Sequence, residues 1–308
     1  MFMSDYFLTE QYVPAMITST KKLNGVYREY PATICAEETF LQIQYAVPIS
    51  NGIAKNIGKR TISRRLPRLI PRTIESFQIM GFLQGEMSKT HRGPVTICNS
   101  EISLIRRTLK WFSNNWGVAN KDWHWYIKLN IPEIQDKECV SQLSSELIEY
   151  WLSSGVAYES RFPTTVSFIH NTSNIIPSNQ GTLILERRGP VFVQTLQEFI
   201  SNSFSLALSA SQEEIVGFLQ GLIAAESCIN FRLASGHRRV FVCSCDDNER
   251  ELIVDLLAKI GIQAKNYPSV RATIVSGKKN LLRMHELDLV SLHPDKHARF
   301  LEMVSSYS

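Results

Sequence analysis

Apolar residues recur every three to four positions along several stretches of the chain, the spacing that places them on one face of a helix. Other stretches alternate apolar and polar residues, or are short and apolar throughout, as β-strands are. The first pattern predicts helices at residues 73–87, 102–112, 140–152, 191–200, 213–227, 249–261 and 279–287. The second predicts strands at residues 94–99, 123–131, 164–169, 181–186, 229–235, 239–245, 262–269 and 271–277. These elements indicate an α+β protein.

The predicted elements repeat along the chain. The order helix, strand, strand, helix, strand, strand, helix occupies the second half and, with insertions, the first. Self-similarity of this kind indicates duplication of one structural unit. We therefore expect two pseudo-symmetric αββαββα halves, at residues 66–205 and 206–308, after an N-terminal extension at residues 1–65.

Three segments carry local signals. Residues 1–65 show no sustained period and contain helix-breaking prolines, so we expect mixed short elements there. Within residues 52–66, a small residue, a glycine turn and a basic stretch resemble a helix-turn-helix with a shortened turn; the simpler alternative is a basic surface segment. The serine-rich stretch 201–211 has the composition of a linker. Ser211 and Glu214 then form a capping-box pattern that begins the next helix.

Composition limits the class of protein. A hydrophobic content of 44% and a charged content of 20% are ordinary for a globular protein and argue against long disorder. No apolar run approaches the roughly 20 residues of a membrane-spanning helix, and no signal-peptide pattern opens the chain, so we expect an intracellular protein, cytoplasmic or organellar. The six cysteines are scattered and predict reduced thiols rather than a disulfide framework or a zinc site.

The distribution of charge says more than the net charge of +4. Residues 55–72 include seven basic side chains and no acidic one. Further basic pairs stand at 106–107, 187–188, 238–239 and 278–279. Several such clusters in one chain favour a polyanionic partner.

Two nine-residue strings, 79–87 and 219–227, agree position by position. The third residue of each is glycine (Gly81, Gly221), the seventh is small (Gly85, Ala225) and the eighth is glutamate (Glu86, Glu226). Small residues one helical turn apart let two helices approach closely, which would bring the two acids together at the helix ends. A competing register aligns the literal repeat GFLQG at 81–85 and 217–221, and pairs Glu86 with Leu222.

Paired carboxylates at two helix C-termini favour a cation, because the last carbonyls of a helix have no internal partner and the macrodipole there is negative. Oxygen ligands suit Mg²⁺, Mn²⁺ or Ca²⁺. Such a metal can activate water against a phosphodiester.

The two strings are similar to the signature helices of the LAGLIDADG homing endonucleases, in their single-chain form with two pseudo-symmetric halves. The resemblance covers residues 66–308. The stretches GEMSKT after the first helix, SGKKN before a late helix and SLHPDKHARFLEM near the end resemble archaeal-type members. Met87 and Ser227 stand where the family commonly has glycine, and the helix at 140–152 is an insertion. These departures bear on cleavage more than on fold or DNA binding.

The resemblance implies a site and a partner. The two helices would pack through their small residues, and saddle-shaped antiparallel sheets would lie in the major groove of double-stranded DNA. Glu86 and Glu226, with the carbonyls of Gly85 and Ala225, would hold Mg²⁺ or Mn²⁺, with Ca²⁺ as a non-cleaving substitute. Lys278 and Lys279 would act near the scissile phosphate. The implied DNA contacts are Lys89, Arg92, Lys128, Arg187, Arg188, Asn230, Arg232, Arg238 and Arg239.

We therefore predict a monomeric, site-specific, metal-dependent double-strand DNA endonuclease of homing type. The alternative is a protein of the same fold with weakened or lost cleavage, acting as a DNA-binding regulator or as an intron RNA splicing factor. A third possibility is an unrelated protein in which the repeat is accidental.

Overall fold

The computed structural model describes residues 5–23, 26–50, 55–88, 93–131, 137–156, 165–170 and 180–307. Its helices are α1 (Ile74–Glu86), α2 (Ile102–Trp116), α3 (Lys137–Ser153), α4 (Pro190–Ser201), α5 (Ser203–Leu208), α6 (Gln212–Glu226), α7 (Asp247–Lys259), α8 (Lys278–Glu286) and α9 (Pro294–Ser305). Its strands are β1 (Tyr6–Leu8), β2 (Met16–Leu23), β3 (Val26–Ala36), β4 (Phe40–Ser50), β5 (Lys55–Pro67), β6 (Leu69–Pro71), β7 (Val95–Asn99), β8 (His124–Ile131), β9 (Val166–His170), β10 (Thr182–Arg187), β11 (Ser227–Arg232), β12 (His237–Cys243), β13 (Ala264–Tyr267) and β14 (Ala272–Ser276). The α+β class predicted from the sequence is confirmed.

The chain forms two compact units. One unit consists of residues 1–71 and 87–199, and the other of residues 72–86 and 200–308. Helix α1 therefore belongs with the C-terminal unit, where it packs against α6. No helix in the described part of the chain is both long and apolar enough to span a membrane.

The N-terminal residues form long strands instead of the mixed short elements expected. Strands β2, β3, β4 and β5 make an antiparallel sheet in sequential order, and β1 pairs with β6. The helix-turn-helix interpretation is wrong, because residues 55–67 are strand β5, paired with β4 along its length; residues 51–54 lie outside the described part. Exposure explains the missing period: much of β3 contacts solvent on both faces, so polar and apolar residues need not alternate.

The second sheet of this unit has the order β7-β10-β8-β9. The sequence predicted antiparallel sheets, but β9 runs parallel to β8. The cause is the inserted helix α3, since a strand that follows a crossover helix can return in the same direction as the strand before it. The other pairings are antiparallel, and Met87 forms a single bridge to Ile97 on β7.

The C-terminal unit has one antiparallel sheet, in the order β11-β12-β14-β13. The first unit repeats this order: Met87 takes the place of β11, and β7, β10 and β8 take the places of β12, β14 and β13. Strand β9 is added at the edge, beside β8. The internal repeat predicted from the element order is therefore visible in the topology of each sheet. On one face of β11–β14, apolar side chains such as Ile229, Val240 and Val275 are buried.

The serine-rich stretch 201–211 is not a linker, because it contains helix α5. Phe204 and Ala207 of α5 are buried, and the Phe204 ring packs edge-to-face on Phe218 of α6 with ring centroids 5.3 Å apart. Two apolar residues three positions apart suffice to anchor this short helix, although five of the eleven residues of the stretch are serines.

The predicted capping box at the start of α6 is confirmed. The Glu214 backbone N–H donates to Ser211 Oγ at 3.3 Å, and the Ser211 N–H donates to Glu214 Oε2 at 2.8 Å. Arg72 donates to both carboxylate oxygens of Glu214, at 2.7 and 3.0 Å. These hydrogen bonds, that of Arg72 foremost, lower the pKa of Glu214.

We expect Glu214→Gln to lower the free energy of unfolding at pH 7 by about 1 kcal/mol, because the ion pair and part of the cap are lost. Because the pKa of Glu214 is lower in the folded than in the unfolded chain, the ionised carboxylate stabilises the fold at pH values above the unfolded pKa of about 4.3. This stabilisation is lost as the pH falls through the folded-state pKa. The variant should therefore lose less stability on acidification than the wild type, as measured by urea unfolding between pH 7 and pH 3. Glu213→Gln, at the exposed neighbouring position, is the matched control and should retain the wild-type profile.

Candidate functional site

Helices α1 and α6 cross in direct backbone contact. A methyl group placed on Gly81 would overlap the carbonyl oxygen of Phe218, and one placed on Gly221 would overlap the carbonyl oxygen of Gln78. The alignment that pairs Glu86 with Glu226 also pairs Gly81 with Gly221 and Gln78 with Phe218, so the two close approaches are equivalent contacts in the two helices. Under the literal GFLQG repeat they are not equivalent. Glycine is required at both positions because no other residue allows the backbones this close.

Buried glutamines lie beside this crossing, and sequence reasoning missed them. Gln78 Nε2 donates to Gln220 Oε1 at 2.6 Å, and Gln220 Nε2 donates to the Asp288 carbonyl at 3.1 Å. Further along α1, Gln84 donates to Glu249 at 2.9 Å. Each glutamine is less than one tenth exposed, and the buried hydrogen bond between Gln78 and Gln220 fixes how α1 and α6 are aligned.

The acids stand at the C-terminal ends of both helices, where both side chains are partly exposed. An added Cβ on Gly85 would lie 2.7 Å from the Cβ of Ala225 and 3.0 Å from Glu226 Oε1. The Glu226 carboxylate therefore lies against the last turn of α1. Gly85 leaves the room that this carboxylate occupies.

A lysine from α9 also enters the site. Lys296 Nζ donates to the last carbonyls of α6, at 2.6 Å to Ala224, 3.1 Å to Ala225 and 3.4 Å to Ile223. Burial lowers the pKa of Lys296, and the nearby carboxylates of Glu86 and Glu226 oppose that shift by favouring the charged form. The ammonium group thus neutralises both the helix terminus and part of the acid pair.

One sequence signal could have singled out Lys296. It lies in the first turn of α9, after Pro294, where the helix macrodipole disfavours a positive side chain. A cation at this unfavourable position indicates a compensating partner elsewhere, and the carbonyls of α6 are that partner.

The Lys296 ammonium group occupies part of the site where a metal ion was predicted. Oxygen donors of the right kind are present, but the carbonyl of Ala225, one of the predicted ligands, already accepts a hydrogen bond from Lys296. Across the described residues, no cluster of three or more histidine, cysteine, aspartate or glutamate side chains has the arrangement of a metal site. A divalent ion on the α6 carbonyls would face the ammonium directly, so the Ala225 carbonyl does not fit the role of a metal ligand while Lys296 donates to it.

The structure does not bring Lys278 and Lys279 to the acids. Ser276 lies two residues before Lys278, and Ser227 follows Glu226 directly. In the sheet these two serines are separated by two strands across and by three residues along the strand direction, which corresponds to about 14 Å between their backbones. Lys278 Nζ instead donates to the Tyr307 carbonyl at 3.0 Å, with the Tyr307 ring nearby. Both lysines are exposed at the start of α8.

The face of the β11–β14 sheet opposite the helices is basic. The pairing register places Asn230 beside Arg239 and Arg232 beside His237, and it brings Lys265 of β13 to this same face. No acidic residue occurs in residues 227–245 or 259–285, which contain all four strands. The acidic residues of this unit lie on or beside its helices, and Glu226 at the end of α6 is close enough to act on Cys243 of the open face.

Two expectations for this sheet need correction. The strand predicted at residues 229–235 ends at Arg232, because Leu233 falls in a 3-10 turn and is 65% exposed. Arg238 does not share the face of Arg239, since neighbouring strand residues point to opposite sides. Arg238 donates to Ser306 Oγ at 2.7 Å and stacks over the Tyr307 ring, so it joins the sheet to the C-terminal residues.

The basic residues predicted in the first unit are dispersed. Lys128 is exposed on β8. Arg187 donates to the Asp122 carbonyl at 2.9 Å, and Arg188 forms an ion pair with Glu186 at 2.6 Å. Lys89 and Arg92 lie outside the described residues.

Comparisons with known proteins give structural similarity alone. No protein-family model and no curated protein match the chain. Among solved structures, the N-terminal LAGLIDADG domain of WhiA matches with a TM-score of 0.37 and 10% identity, over 70% of this chain and 83% of that one. The homing endonuclease I-DmoI in complex with DNA and Ca matches with a TM-score of 0.33 and 11% identity, over 73% of this chain and 96% of that one.

Proposed function

We propose that this chain is a LAGLIDADG-fold protein that binds double-stranded DNA through the open face of the β11–β14 sheet. The observation that carries the proposal is the charge distribution of that face: Arg232, Arg239 and Lys265 are exposed on it, and its four strands contain no acidic residue. A basic surface attracts a polyanion, and β-strands can enter the major groove.

The side chains on this face suit base contacts as well as phosphate contacts. Asn230 and Arg239 are direct cross-strand partners. An arginine can donate two hydrogen bonds to guanine, and an asparagine can pair with adenine in the same way. Two such residues side by side on a sheet would discriminate neighbouring base pairs, which supports sequence-specific rather than general binding.

The proposed binding does not need a metal. Lys296 supplies a positive charge at the helix ends where the family resemblance implies a divalent ion. We therefore infer that phosphodiester hydrolysis is weak or lost in this chain, and that its role is that of a DNA-binding protein.

The adjacent residues Arg238 and Arg239 provide the test. Duplexes enriched from a random 30-base-pair pool in EDTA should bind the wild type, and Arg239→Gln should weaken binding about tenfold, within the range expected for one base or phosphate contact. If Arg239 contacts a phosphate, the slope of the logarithm of the binding constant against the logarithm of the salt concentration should also become shallower by about one unit. Fluorescence anisotropy at several salt concentrations measures both quantities.

Arg238→Gln is the matched control, because it removes the same charge from the helix side of the same strand. It should reduce thermal stability and leave DNA affinity within about twofold of the wild type. Equal losses of affinity in both variants would contradict the proposed face. Stronger competition by structured RNA than by duplex DNA would contradict the proposed ligand.

The acid pair is the one observation that favours a second function, metal-dependent DNA cleavage. Glu86 and Glu226 are the carboxylates at the crossed helix ends, and the pKa of Lys296 responds to both. Cleavage would require Lys296 to leave the α6 carbonyls before an ion could bind there. Replacing Lys296 by methionine separates the two functions, because it removes the ammonium that competes with an ion.

A further inference from the structure

A cavity of about 320 Å³ lies in the first unit, between β5 and the junction of β10 with α4. Its walls include four arginines, Arg64, Arg65, Arg187 and Arg188. Trp116 and Phe192 supply the aromatic part of the wall, and no acidic residue lines the cavity. The binding face on β11–β14 uses none of these residues.

The arginines are only partly neutralised by the protein. Arg187 and Arg64 donate to main-chain carbonyls, those of Asp122 and Ser63, each at 2.9 Å. Arg65 stacks over the Phe40 ring. Within the described residues, Glu186 is the one carboxylate that forms an ion pair with the group, through Arg188. Arg64 shares its face of β5 with the lining residue Leu66, and the neighbouring Arg65 points to the opposite face, so the like charges at the cavity are those of Arg64, Arg187 and Arg188. Like charges in one place repel one another unless an anion lies among them.

Two buried hydrogen-bond donors of the cavity wall have no partner among the described residues. They are Trp116 Nε1 and Arg187 Nε. Trp116 is 3% exposed, so water does not readily satisfy its indole N–H. Buried donors are nearly always paired in folded proteins. An acceptor entering the cavity would supply what these donors lack.

The cavity also adjoins a helix N-terminus. Gly189, Val191 and Phe192, at the start of the 12-residue helix α4, are among its lining residues. The first backbone N–H groups of a helix have no intrahelical partner, and the positive end of the macrodipole lies there. Helix N-termini with free N–H groups are common phosphate sites.

We propose that this cavity binds a phosphate group. A phosphate carries several acceptor oxygens and two negative charges at most, which matches a wall of guanidinium forks, an indole N–H and backbone N–H groups. The cavity volume is at the lower end of the range for small-molecule sites, larger than a single phosphate needs. The phosphate therefore belongs to a phosphorylated small molecule or to a nucleic-acid backbone.

The test is titration of the full chain with inorganic phosphate and pyrophosphate, by calorimetry at constant ionic strength. The wild type should bind saturably. Arg64→Gln and Arg188→Gln should each weaken binding about tenfold, which corresponds to about 1.4 kcal/mol. Trp116→Phe should weaken it without any change of charge. Arg60→Gln, on the same strand but outside the cavity wall, should bind as the wild type does.

Duplex DNA binding by the same variants identifies the source of the phosphate. Loss of pyrophosphate binding with unchanged DNA affinity assigns the site to a small phosphorylated molecule. Parallel loss of both assigns it to the DNA backbone. No phosphate or pyrophosphate binding by the wild type would overturn the proposal, and so would equal binding by wild type, Arg64→Gln and Arg188→Gln. Circular dichroism of each variant shows whether it is folded. If Trp116→Phe does not fold, the variants of Arg64 and Arg188 still test the proposal, because both arginines are exposed.

Discussion

Gly81→Ala and Gly221→Ala should each lower the free energy of unfolding by about 3–5 kcal/mol, among the largest effects of a single methyl group. The added methyl would overlap a backbone carbonyl of the opposite helix, Phe218 for one and Gln78 for the other. A side chain can rotate away from such an overlap, but helix backbone cannot. The two helices would have to separate and open the core between them.

Gly217→Ala is the decisive control, because the literal GFLQG repeat makes Gly217 the counterpart of Gly81. An added Cβ there lies 3.0 Å from the Ile74 carbonyl oxygen and 3.0 Å from Ile74 Cγ2, which is crowded but far from the overlaps of 2.0 and 1.8 Å at Gly81 and Gly221. The helix propensity gained by replacing glycine, about 1 kcal/mol, offsets this crowding. Urea unfolding should therefore find Gly217→Ala within about 1 kcal/mol of the wild type. A loss at Gly217 equal to that at Gly221 would show that the helices use the other register.

Lys296→Met should cost about 3 kcal/mol in EDTA, because it removes the buried ammonium that donates to the α6 carbonyls and lies near the Glu86 and Glu226 carboxylates. Millimolar Mn²⁺ should then restore much of that stability to the variant, since an ion bound at 100 times its Kd contributes about 2.7 kcal/mol. The wild type should gain little from Mn²⁺, because the ammonium already occupies the carbonyls. Thermal melting with and without Mn²⁺ measures both effects.

Lys279→Met is the control for general loss of a basic residue, and its stability should not depend on metal. Plasmid nicking in Mg²⁺ completes the comparison, and we expect none from the wild type on its enriched DNA. Wild-type cleavage that Glu86→Gln or Glu226→Gln abolishes would establish the endonuclease function and refute the role proposed for Lys296. Stabilisation of the wild type by Mn²⁺ equal to that of Lys296→Met would refute it as well.

The sequence alone predicts the local structure of this protein well. Periodicity locates α2, α6, α7 and most strands after residue 90, and Ser211 with Glu214 marks the start of α6 correctly. These features depend on residues close together in the chain, so their physics is readable from the chain itself. The absence of acids from the strands of the C-terminal sheet is equally a property of the sequence.

Long-range packing decided the rest. Only the fold shows that Arg239 faces outward while Arg238 contacts Ser306, because alternation defines two faces without saying which one the helices cover. The sequence did not predict strand β5 for a related reason. Its hydrogen-bond partners lie in β4, and its exposure to solvent removes the alternation of polar and apolar residues by which a strand is recognised. The same holds for Lys296, which reaches carbonyls about 70 residues earlier in the chain. The two nine-residue strings determined that two acids stand at helix ends; the tertiary structure decided which cation lies beside them, since that depends on a third helix brought there by the fold.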